Sequence, residues 1–385
     1  MATSEKTPRA RRVNSPCLRS GRPNLPHGKL PAMPASRYVA GFDSLRAFAV
    51  ITVMCYHVDK NVPELHLFPT FRHGYMGVDL FFVLSGFLIT DILLNTRSKK
   101  HFFRNFYARR VLRIWPLYFS ILILVFLFLP VLRPAYKGII AASCHPVIAY
   151  PFFIQNFFQP RSFGPVEVTW SLAIEEQFYL VWAIFVYLLS DKVLTRLCIA
   201  VIVLSPLLRY LAFHSGWSDE YIYRFTLTRM DTLAAGCLLA LGFPLLHRHP
   251  LVLFLLGGIG LSVVLPFQWR PLIPTFALLC FSGVIVLASR GGIIPTWRPL
   301  RYLGKISFGL YLLHVPVYDT VREFVHASGV AQSIAVFVLD IGGAVAAASL
   351  SWYFLESPFL RLKRHFEFER PLGSSGADAS GPLQA

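Results

Sequence analysis

Several ionisable residues in this 385-residue sequence sit inside apolar runs. Arg46 and His57 belong to one of them, GFDSLRAFAVITVMCYHV. Eleven helical positions at about 100° each return to within roughly 20° of the same face, about 16.5 Å further along. Both side chains can therefore line one cavity at different depths. The plainer reading makes Arg46 a snorkelling interface residue and His57 a boundary residue. Asp79 opens the next run, GVDLFFVLSGFLIT, close to where His57 ends the first. A carboxylate beside an imidazole fixes its tautomer and raises its basicity; alternatively, Asp79 caps its own helix. Ser85 and Gly86 in that run read more readily as close helix packing than as a nucleophile. Glu175 and Glu176 fall in WSLAIEEQFYLVW. They point about 100° apart, so at least one must face a polar cavity rather than lipid. His314 lies in the middle of SFGLYLLHVP, where a structural hydrogen bond and a cavity role are both open. Glu356 ends a final run beside basic residues, and pairing with Arg or Lys explains it. Charged groups at such depths are costly and mark candidate function.

The stretch RSKKHFFRNFYARRVLRIWPLYF follows the second run as a basic loop with interleaved aromatics. Arg110 and Arg113 are one helical turn apart and share a face. They can hold phosphate oxygens in paired contacts. Contact with anionic lipid headgroups would use the same composition. The cysteines form no CxxC and no dense pattern, so neither a disulfide framework nor a metal site is expected.

Elements that could position these groups follow from composition. The chain is 55% hydrophobic and 15% charged, yet its formal charge is +17; its mean hydropathy is +0.54. Soluble domains carry about 25% charged residues. The combination indicates an all-α integral membrane protein with cationic loops, and excludes a disordered chain and a soluble nucleic-acid binder. Ten apolar runs are expected to form transmembrane helices near 38–58, 75–95, 115–132, 171–190, 193–213, 230–246, 250–267, 272–289, 306–325 and 331–355. Residues 146–158 carry two prolines and read as an interfacial or re-entrant piece. With ten spans, most Lys and Arg fall on the side of the termini, so both termini are expected to be cytoplasmic. Residues 1–36 read as a basic disordered tail without a signal-peptide core. Residues 37–365 form the membrane domain, and 366–385 a second disordered tail.

GFDSLRAFAVITVMCYH, GVDLFFVLSGFLIT, FYARRVLRIWPLY, WSLAIEEQFYLVW, LGKISFGLYLLHVP and WYFLESPF occur here in one order. That ordered set resembles the membrane acyltransferase-3 family, which includes bacterial O-antigen, exopolysaccharide and Nod-factor O-acetylases. The resemblance spans about residues 38–365. It implies that Arg46 and His57 match an Arg-x10-His pattern whose histidine is essential. It also implies that Arg110 and Arg113 match an Arg-x-x-Arg pattern that handles acyl-CoA. FFVLSGF brings Asp79 and Ser85, WSL-x-x-E-x-QFY points to Glu175, and SFGLYLLH brings His314. The implied reaction moves an acyl group, usually acetyl, from cytoplasmic acyl-CoA to a hydroxyl of an extracytoplasmic glycan or glycolipid, in the bacterial inner membrane. Some relatives carry an SGNH-type esterase domain. None is seen in this sequence, so transfer is expected to be completed by the membrane domain or by a separate extracytoplasmic partner. No bound cofactor is expected.

On this reading Arg110 and Arg113 hold the phosphates, and Arg46 holds the pantetheine end or stabilises oxyanion charge. His57, oriented by Asp79, deprotonates the acceptor or carries the acyl group itself. The rival readings are a proton-coupled transporter using the same intramembrane charges, and a purely structural membrane partner. The absence of paired halves with interrupted helices weighs against the transporter.

Overall fold

A computed structural model describes residues 39–368, apart from 62–68, 135–136, 139, 142–145, 159–163, 267–269, 292–293 and 326–328. The tails expected at 1–36 and over most of 366–385 lie outside the described residues. Within them the chain is helical, with no strand. The principal helices are α1 (Ala40–Asn61), α2 (Gly77–Thr96), α3 (Phe102–Ile123), α4 (Thr169–Leu188), α5 (Asp191–His214), α6 (Met230–Ala240), α7 (Pro250–Val264), α8 (Ile273–Arg290), α9 (Ser307–Phe324) and α10 (Val330–Ser351). Each falls on one of the expected runs. Among the described residues, six helical stretches are long and apolar enough to cross a membrane, those containing α2, α3, α4, α5, α8 and α10. The α6 and α7 helices are apolar but shorter. The chain is an integral membrane protein.

Two elements differ from expectation. The basic stretch after α2 is not a loop. Arg104 to Arg113 lie on α3, whose helix continues through a π turn at Leu124–Phe128 to Leu132. Phe102, Phe106, Ile114 and Leu117 bury one side of it, and that apolar stripe holds the basic face in helical form. The run at 230–246 is also not one helix. It breaks at Gly242, whose φ of +72° suits glycine, and restarts as a short helix at Pro244–Arg248. Residues 146–158 form only 3-10 turns at Val147–Ala149 and Gln155–Phe157. Gln155 and Asn156 are buried there through hydrogen bonds to Thr169 and Thr226.

Backbones approach most closely where glycine removes the side chain. A Cβ on Gly86 of α2 would sit 2.1 Å from the Leu233 carbonyl oxygen, and one on Gly236 of α6 would sit 2.0 Å from that of Val83. The α2–α6 crossing therefore rests on these two glycines, a small-residue contact usual between membrane helices. A second crossing sets α1 against the short helix Arg298–Lys305. There a Cβ on Gly304 would overlap the Asp43 carbonyl oxygen at 1.9 Å.

Candidate active site

The expected site residues divide into one connected line and one separate cluster. The line begins on α3. Arg110 and Arg113 are half-buried on its inward side. The Arg110 guanidinium carbon lies 6.0 Å from the Tyr179 ring centre. That of Arg113 lies 6.0 Å from both Phe308 and Trp352. Lys305 stands over the other part of this wall, with Nζ 4.7 Å from the Trp352 ring. Such faces hold cations without neutralising them. Arg46, Asp43 and Glu356 lie within electrostatic range of Arg113. Arg46 donates to Asp43 Oδ1 at 2.8 Å, and Glu356 accepts from Ser351 at 3.2 Å.

Sequence reasoning passed over two members of this cationic group. Arg109 donates to the Lys363 and Phe366 carbonyls at 3.4 and 3.5 Å. Lys363, 8% exposed, lies within range of Arg109, Arg110 and Arg113. The segment that brings it lies at the end of the expected membrane domain and docks on α3, where Asn105 donates to the Glu367 carbonyl at 3.2 Å and Phe366 lies under Arg104. Nothing in the local sequence around Lys363 signals this role, because the signal is the long-range docking.

Deeper along the line, Ser85 of α2 donates to Glu175 Oε1 of α4 at 2.6 Å. The Tyr179 hydroxyl donates to Ser85 Oγ at 3.2 Å. Ser85 is thus a polar bridge between α2 and α4, while the neighbouring Gly86 does the close packing. Glu175 lies within range of both Arg110 and Tyr311. Tyr311 of α9 shares a 2.7 Å hydrogen bond with Ser171, and its ring centre lies 6.0 Å from that of His314.

The line ends at two histidines. His314 Nε2 lies 3.3 Å from His57 Nδ1, with ring centres 4.9 Å apart. His314 is fully buried and His57 is half-buried. Arg46, His57, Phe81, Ser85, Arg110, Arg113, Glu175 and Tyr311 are all partly exposed. They come from five helices, α1, α2, α3, α4 and α9, and the polar groups among them follow one another from the arginines to the histidines.

The expected pairing of Asp79 with His57 is not formed. Asp79 is buried and its Oδ1 accepts from Arg229 Nη2 at 2.6 Å. Arg229 in turn lies over Tyr223 at 4.2 Å. A carboxylate held at this depth requires a cation, and Arg229, at the start of α6, supplies one. A second such pair lies alongside: Arg209 donates to Asp231 at 2.7 Å and to Thr275 at 2.7 Å. Arg229 and Asp231 flanking Met230 at the head of an apolar run were the available sequence signal for this cluster.

Residues 39–356 match the family described as "Acyltransferase domain". The chain belongs to this acyltransferase family. It is 31% identical over 356 residues to the "Peptidoglycan O-acetyltransferase OatA" of Listeria monocytogenes, covering 84% of this chain and 56% of that protein. It is 28% identical over 367 residues to the "O-acetyltransferase OatA" of Staphylococcus aureus, covering 86% and 58% respectively. The chain therefore spans little more than half the length of these curated relatives. No solved structure matches it.

Proposed function

We propose that this protein is a membrane O-acetyltransferase that takes its acyl group from acetyl-CoA on the cytoplasmic side and delivers it to a hydroxyl of an extracytoplasmic glycan. The observation that carries this reading is the polar line from Arg110 and Arg113 to His57, which runs through a largely apolar body. The cationic end suits a donor with several phosphates. The histidine end suits removal of a proton from an alcohol. The reading takes all ten helices as spans, places both termini on the cytoplasmic side and puts the chain in the bacterial cytoplasmic membrane. Peptidoglycan, named for the Listeria relative, is the first acceptor to test.

In this reading Arg110, Arg113 and Lys363 bind the donor phosphates, and the pantetheine arm lies along Arg46, Ser85 and Glu175. His57 takes the proton from the acceptor hydroxyl as that oxygen attacks the thioester carbonyl. The C–O bond forms and the C–S bond breaks. The proton then passes to the departing thiolate, giving acetyl ester and free CoA.

The test uses the full chain in proteoliposomes, with acetyl-CoA on the arginine side and glycan acceptor on the other. Thiol release coupled to acetyl ester on the glycan is expected, and His57→Ala should lower the rate by about 10²–10⁴-fold, the range for a lost general base. Solute uptake without thioester loss would overturn the reading in favour of a transporter.

A further inference from the structure

We propose that His314 is a positioning residue that fixes the orientation of the His57 ring and reinforces its Nδ1–H tautomer, in the place expected for Asp79. The proposal rests on the acyltransferase reading and deepens it. His314 Nδ1 lies 3.1 Å from the carbonyl oxygen of Leu310, one turn earlier on α9. A carbonyl oxygen only accepts, so this nitrogen carries the hydrogen. In the neutral ring Nε2 is then the lone-pair nitrogen, and it faces His57 Nδ1 at 3.3 Å. His57 Nδ1 also lies 2.9 Å from the Val53 carbonyl oxygen. Both neighbours are acceptors, so His57 Nδ1 carries a hydrogen shared between them. The lone pair of neutral His57 is therefore on Nε2, and this is the nitrogen that takes a proton from the acceptor hydroxyl. Which ring nitrogen of a histidine is protonated is set by the hydrogen bond the other makes.

Val53 alone would favour the same tautomer, but it lies on the same helix as His57. His314 adds an acceptor from a separate helix, α9, so the ring is referenced to the body of the protein rather than to α1. The His314 ring is itself held, fully buried between Tyr311 at 6.0 Å and Tyr318 at 5.5 Å. When His57 becomes an imidazolium, its Nδ1–H still points at a lone pair. A neutral orienter suits this site, because a carboxylate at the same place would need its own counter-charge at depth.

Two substitutions separate positioning from packing. His314→Gln can keep an acceptor oxygen toward His57 Nδ1, whereas His314→Leu fills similar volume with none. In the reconstituted full chain, His314→Leu should lower kcat about 10- to 1000-fold, within the range for a misdirected general base, with KM for acetyl-CoA unchanged. His314→Gln should stay within about tenfold of the parent protein. Equal losses in both variants, or parental kcat in a folded His314→Leu protein, would overturn the proposal. A second measurement needs no active variant. Nitrogen-15 spectra of histidine-labelled protein, with His57→Gln assigning the signal, should show the Nδ1–H tautomer at neutral charge. An Nε2–H tautomer would overturn the proposal even if the protein transferred no acetyl group, a result that would sink only the functional reading.

Discussion

Arg113→Ala tests the proposed donor end of the polar line. A charge-assisted hydrogen bond is worth about 1.5–3 kcal/mol, and each 1.4 kcal/mol is about tenfold. Losing one phosphate contact should therefore raise KM for acetyl-CoA roughly 10- to 150-fold. The side chain is half-buried between Phe308 and Trp352, where solvent screens it weakly, so the upper part of that range is expected. Arg46 and Arg110 remain in the same electrostatic neighbourhood, so binding weakens without vanishing. His57 lies at the other end of the line, so kcat should change by less than about threefold, as when binding alone is lost. Arg113→Lys keeps the charge but loses the planar fork, and its KM should fall between the two. The assay is initial-rate thiol release against acetyl-CoA concentration, with thermal unfolding in detergent as the check on folding. Repeating it with acetyl-CoA stripped of its 3′-phosphate closes a cycle, and a non-additive loss assigns Arg113 to that phosphate. A folded Arg113→Ala protein with unchanged KM, or with kcat lost and KM intact, would refute the reasoning.

The buried pair Asp79–Arg229 should behave as a structural unit. Asp79→Leu or Arg229→Met alone should each cost about 3–5 kcal/mol by stranding a charge, and the double variant should recover much of this, as read from thermal unfolding. If Asp79 instead served His57, the double variant would regain stability but not turnover. Gly236→Ala places a Cβ 2.0 Å from the Val83 carbonyl oxygen. Pushing α2 and α6 apart should cost about 1–3 kcal/mol, seen as a lowered unfolding temperature with the KM for donor preserved.

What could be read from the amino acids alone depended on range. Each of the ten expected runs carries a helix, because apolar stretches constrain local structure strongly, but among the described residues six helical stretches are long and apolar enough to cross a membrane. The break at Gly242 and Pro244 was visible as composition, yet it was subordinate to the apolar run around it. The helical course of Arg104 to Arg113 was legible only in the one-turn spacing of Arg110 and Arg113, although Phe102, Phe106, Ile114 and Leu117 mark its buried side. Candidate residues were legible by type and depth, but their partners were not. His57 and His314 are 257 positions apart, and Asp79 and Arg229 are 150 apart. Contacts of that kind come from helix packing, and no local pattern encodes them. Proximity along the chain suggested Asp79 for His57 because two helix ends meet there. The packing of α6 and α9 decided otherwise.

One helix, α1, reaches toward both ends of the polar line. Arg46 and His57 both belong to α1, eleven positions apart, which fixes them about 16.5 Å from one another. The crossing at Gly304 pins the Arg46 end of α1 to the helix that carries Lys305. The hydrogen bond to His314 pins the other end to α9. On the reading proposed above, a donor that reaches from the arginine end, where Arg46 lies within electrostatic range of Arg113, to His57 has to span a comparable length. Acetyl phosphate, with the acyl group directly on the phosphate, cannot meet both ends. A thioester at the tip of the long, thin pantetheine arm can. The acyl-CoA donor proposed above fits that span. In the same proposed reading, half-buried Ser85, Glu175 and Tyr311 give the amide and hydroxyl groups of the arm polar partners inside an apolar body.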